Sequence, residues 1–115
     1  MELVINGKTY SFKFGVKFMA ELDKLELGEV NGIKFGVGFM KHYLMVQQYD
    51  IEALIDILMI GNKTESPKLK QDDLIEYLEA EADIDALIKE IVTELEEGNV
   101  TKGKIKALKE AKGDK

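Results

Sequence analysis

Residues 1–19 read MELVINGKTYSFKFGVKFM and change their repeat halfway along. Asn6-Gly7 suits the two positive backbone angles of a type I′ turn, so the flanking residues pair as a hairpin, Ile5 with Lys8, Leu3 with Tyr10 and Met1 with Phe12. One face then carries Met1, Leu3, Ile5, Tyr10 and Phe12, and the other Glu2, Thr9, Ser11 and Lys13, with Val4 the exception. From Gly15 the spacing becomes helical. Phe18, Met19, Leu22 and Leu25, with Val16 beside them, make an apolar stripe opposite Lys17, Glu21 and Lys24. A lone hairpin is marginal in water, so helices further along must cover its apolar face.

The remainder supplies those helices. Gly28 and Asn31-Gly32 punctuate the chain after the first helix, and Val30 and Ile33 frame a second tight turn or a small extra hairpin. Residues 38–48 predict a helix, and Asp50 an N-cap with Tyr49 and Leu54 as a hydrophobic staple. The densely apolar run from Ile51 to Ile60 is the expected central helix, ended by Gly61-Asn62 in a left-handed cap. Residues 62–70, with the single proline Pro67, form the polar interruption and are expected to be a mobile connection. An acidic helix over 71–81 buries Leu74, Ile75 and Leu78. Asp83 opens the next helix, whose apolar face runs Ile84, Leu87, Ile88, Ile91, Val92 and Leu95 to its close at Gly98. Thr101 is the expected cap of a final helix, with Val100 and Ile105 as a second staple and residues 109–115 as a frayed tail. Hairpin first and helices afterwards is an α+β domain, mostly helical, spanning residues 1–115 as one unit.

Composition narrows the function. The chain of 115 residues has no cysteine, which excludes disulfides, thiolate chemistry and sulfur-ligated zinc. It has no basic leader followed by an apolar run and no apolar stretch of the roughly 18 residues that would span a bilayer, so neither secretion nor a membrane partner is expected. All sixteen basic residues are lysines; without guanidinium forks a nucleic-acid partner is not expected either. The net charge of −6 is uneven: residues 71–97 hold eleven acids against Lys89, and residues 101–115 hold six lysines against two acids. The acids at Asp83 and Asp85, and the lysines late in the last helix, both suit the helix dipole.

No constellation points to catalysis, a cofactor or a metal. The phrase KFGVKFM at 13–19 returns as KFGVGFM at 34–40, but Gly36-Val37-Gly38 lacks the GxxxxGK[ST] or GxGxxG context of a phosphate loop. Two copies are also too few for a solenoid. Gly15 and Gly36 are best read as one device, used twice, for turning an extended segment into an aromatic-rich helix. His42, the single histidine, has no serine or cysteine partner at a readable spacing. The carboxylates lie mostly opposite the apolar stripes, as a solvated face does, and no calcium-loop pattern is present. The aromatics Phe12, Phe14, Phe18, Phe35, Phe39 and Tyr43 are mostly core by composition. The helix GFMKHYLM is the exception, with more apolar circumference than a small domain can bury. Phe39, Tyr43, Leu44 and Met45 are therefore the expected partner-binding surface. That surface would serve a client or a second copy of this chain. The extra Gly38 would let this helix shift, so Gly38→Ala would hardly alter folding but would weaken partner capture.

The hairpin INGKTYSFKFG, the segment IEALIDILMIGNKTESPKLKQDDLIEYLE and the terminal DIDALIKEIVTELEEGNVTKGKIK together resemble the tail assembly chaperones of long-tailed phages and prophages of Gram-positive bacteria. The resemblance runs from about residue 3 to residue 108 and rests on element order and local phrases, not on a catalytic signature. It implies a non-enzymatic protein of the host cytoplasm that binds the tape measure protein and helps recruit tail tube protein, without remaining in the mature virion. In many such phages a programmed frameshift makes a longer form; if this chain follows suit, the extended product would diverge or continue at Lys104 to Lys115. The alternative is a small helical adaptor or regulatory protein of a mobile element that binds a partner helix.

Overall fold

The computed structural model describes residues 1–111. Strands β1 (Glu2–Ile5) and β2 (Lys8–Ser11) pair antiparallel with Leu3 opposite Tyr10 and Ile5 opposite Lys8, the register the Asn6-Gly7 turn demands. Asn6 and Gly7 take φ of 53° and 76°. The Phe12 amide donates to the Met1 carbonyl at 2.9 Å and extends the ladder by one pair.

Helix α1 (Val16–Lys24) starts after Gly15 and buries Phe18 and Leu22, while Val16 and Leu25 are exposed. A second hairpin follows, β3 (Leu27–Val30) and β4 (Ile33–Gly36), turned by Asn31 and Gly32 at φ of 51° and 79°. The small extra hairpin anticipated at Val30 and Ile33 is therefore present, with those two residues opposite each other. Five more helices complete the described residues: α2 (Gly38–Gln47), α3 (Ile51–Asn62), α4 (Gln71–Ala80), α5 (Ile84–Glu97) and α6 (Lys102–Ala111). Of the tail expected at 109–115, Lys109 to Ala111 continue α6, and 112–115 lie outside the described residues.

The core gathers Ile5, Tyr10 and Phe12 from the first hairpin with Leu54, Ile57 and Leu58 of α3 and Ile91 and Leu95 of α5. Alternate-strand and i, i+3, i+4 spacing thus bring one face of each element to a common centre. The first hairpin docks on the end of α3. The Lys13 amide donates to the Gly61 carbonyl at 2.8 Å, and Asn62 Nδ2 donates to the Ser11 carbonyl at 3.0 Å. Asp50 and Asp83 cap their helices as expected, accepting from the Ala53 amide at 2.8 Å and the Ala86 amide at 3.0 Å.

Two cap assignments need correction, those of Gly61 and Thr101. Gly61 is not a left-handed cap: it lies within the last turn of α3, where a Cβ would stand 2.7 Å from Phe14, so glycine is there for the close approach of that ring. Gly98 does close α5, but in extended geometry (φ −63°, ψ 139°). Thr101 precedes α6 as expected, yet its hydroxyl donates backwards to the Leu95 carbonyl, tying the end of α5 to the start of α6. The 62–70 connection is anchored at its end by the buried Leu69, whose amide donates to Asn62 Oδ1 at 2.7 Å.

Candidate functional site

Helix α2 packs against α1, α3, α5 and α6. Phe39 and Tyr43 are 1% and 2% exposed, and Leu44 and Met45 are half-buried against the core. The expected partner-binding surface of Phe39, Tyr43, Leu44 and Met45 is therefore corrected: two of its four residues are core. The apolar circumference that looked excessive is covered because four helices surround this one. Tyr43 is fixed further by donating its hydroxyl to Glu96 of α5 at 2.5 Å. Burial first, and then the Glu96 carboxylate, push its phenol well above the ordinary tyrosine range.

The expectation for Gly38 also fails. A Cβ there would fall 1.7 Å from the Leu22 carbonyl oxygen and 2.6 Å from its carbon. The glycine allows α2 to start against the end of α1; it is a packing requirement and not a source of freedom. Gly36 is similarly crowded, with a Cβ 2.4 Å from that of Asp23, whereas Gly15 meets only the Lys13 side chain. The two copies of FGVxFM both lead from extended backbone into a helix, but the second starts one residue later because Val37 becomes the cap. The Phe39 amide donates to Asp23 Oδ1 and the Val37 amide to the Glu26 carbonyl, each at 2.9 Å. A carboxylate of this chain thus already occupies the place a phosphate would take.

His42 is buried between α2 and α3. Its Nδ1 lies 2.7 Å from the Gly38 carbonyl oxygen and its Nε2 2.9 Å from Asp56 Oδ2. With a single carboxylate facing it, the ring serves as a clasp between two helices. Among the described residues no group of three or more His, Asp or Glu could hold a metal ion, and no helix is long and apolar enough to cross a membrane. A surface hollow of about 530 Å³ has Val16, Lys17, Thr64, Glu65 and Val100 in its walls. In its wall the Thr64 hydroxyl donates to the carboxylate of its neighbour Glu65 at 2.8 Å, an exposed contact between adjacent residues.

The second hairpin is different. Its register puts Gly28, Val30, Ile33 and Phe35 on one face and Leu27, Glu29, Lys34 and Gly36 on the other. Gly36 points at Asp23 of α1, so the Val30, Ile33 and Phe35 face is turned away from that helix. Ile33 is 69% exposed, Val30 58% and Phe35 44%; Leu25 and Leu27 add more than half-exposed side chains at the root. Phe35 lies across Gly28, whose missing side chain leaves room for the ring. Such a cluster on a small domain marks a contact surface. The composition-based reading, that the aromatics are mostly core, does not single out Phe35. The signal that finds this face is the cross-strand register set by Asn31-Gly32, which aligns three apolar residues on the side away from α1.

Fold and site together define a small α+β protein whose distinguishing chemistry is an exposed apolar strand face and not a polar cleft. A family model described as phage tail assembly chaperone protein, TAC, matches residues 2–110. The chain belongs to that family. No curated protein and no solved structure gives a match.

Proposed function

We propose that this chain is a non-enzymatic chaperone of phage tail assembly that binds the tape measure protein in the host cytoplasm, keeps it soluble and helps recruit tail tube subunits around it, without entering the mature virion. The observation that carries this reading is the outward face of β3–β4, where Val30, Ile33 and Phe35 stand in water beside a well-packed helical core. An assembly chaperone needs an apolar surface to capture a client before its own partners arrive, and charge elsewhere to keep the complex dispersed. The net charge of −6, concentrated in residues 71–97, meets the second need.

The test is co-expression with the tape measure gene of the same phage or prophage. The wild-type chain should raise the soluble yield of the tape measure protein and remain with it through purification. Ile33→Asp, which places a charge on the exposed face, should leave the fold intact and abolish retention. Gene order separates this role from that of an adaptor: a tube gene before and a tape measure gene after support the chaperone.

A further inference from the structure

We propose that two copies of this chain pair through the outward face of β3–β4, covering the client surface until a client displaces the second copy. The displacement rests on the client reading above; the pairing itself does not.

A face of Gly28, Val30, Ile33 and Phe35 carries no charge, so a two-fold axis through it sets like against like without conflict. Its surroundings are neutral as well. Residues 25–41 contain Glu26, Glu29, Lys34 and Lys41. Glu26 is paired with Lys41 at 2.8 Å, and Glu29 stands opposite Lys34 in the ladder. The whole net charge of −6 therefore lies outside this segment, and two acidic molecules approach with least repulsion through it.

The area suits a reversible contact. On that face Val30, Ile33 and Phe35 are each between 44% and 69% exposed. Such side chains offer about 350 Å² per copy, or about 700 Å² in a dimer, the size of a weak, transient contact. A contact of that size dissociates readily, as a surface that must later accept a client requires.

Sedimentation of the isolated chain over a concentration series, at low and high salt, tests the pairing. The mass should rise from one copy to two with concentration. Salt should tighten the dimer several-fold, because it screens repulsion between acidic bodies and strengthens apolar contact. Ile33→Asp and, with the opposite charge, Val30→Lys should both stay monomeric while their circular dichroism and melting match the wild type. Monomer at every concentration overturns the proposal, as does a dimer that persists in both variants or that salt dissociates. With the tape measure polypeptide added, the dimer should give way to a complex holding one copy per binding segment; dimers retained in that complex overturn the displacement. If the wild type is monomeric yet Ile33→Asp loses the client, pairing fails and the client reading stands. If both variants lose the dimer yet keep the client, pairing stands and the client reading of this face fails.

Discussion

At the scale of residues, Gly38 and Gly103 make opposite use of the same side chain. A methyl group at Gly38 collides with the backbone of Leu22, so Gly38→Ala must push α1 and α2 apart and should cost about 3 kcal/mol in urea unfolding. Nothing lies within 4 Å of a Cβ at Gly103, in the exposed first turn of α6, and Gly103→Ala should gain about 0.5 kcal/mol. Tyr43 links residue chemistry to pH. Its raised phenol pKa means that the folded state favours the neutral form, so its contribution is complete below the ordinary tyrosine pKa of about 10 and is lost as pH rises beyond it. Tyr43→Phe should therefore lose about 1 kcal/mol at neutral pH and show a shallower alkaline decline in melting temperature. These roles were unevenly legible. Asn6-Gly7 and Asn31-Gly32 announced their turns because few other residue pairs tolerate two positive φ angles. Gly38 did not announce its own, because a close approach depends on where a distant segment, here Leu22, comes to lie.

At the scale of elements, periodicity identified the first hairpin and the apolar faces of α3, α4 and α5, since each has an apolar face to bury, and Asn6-Gly7, Asp50 and Asp83 mark the turn and the starts of α3 and α5. It misjudged α2. The apolar content of GFMKHYLMV reports how much surface must be covered, not how many neighbours cover it, and four helices do so here. The second hairpin shows the converse: its short strands look ordinary, and only their register and the absence of a helix over the outward face make Val30, Ile33 and Phe35 distinctive. The junction between hairpin and helix bundle depends on Asn62. Its amide donates to the Ser11 and Pro67 carbonyls and accepts from the Leu69 amide, joining β2, the end of α3 and the 62–70 connection. Asn62→Ala should cost about 2–3 kcal/mol, seen as a shifted urea midpoint, because it leaves these buried backbone groups without partners.

At the scale of the whole molecule, the design is a packed helical body, an acidic α4–α5 region and one projecting apolar hairpin of locally neutral charge. Membership of the tail assembly chaperone family supplies the setting, and client capture by the hairpin is the role proposed within it. Family resemblance was readable from element order and phrases such as NGKTYSF; the exposed apolar face of the second hairpin was not, because exposure belongs to the folded molecule. The most direct measurement is retention of the tape measure protein by the wild-type chain and by Ile33→Asp after co-expression, with equal melting temperatures confirmed for the two. The expected result is a soluble complex with the wild type and an insoluble, unbound tape measure protein with the variant. Equal retention by both, or none by the wild type, would contradict the assignment of that hairpin to client capture.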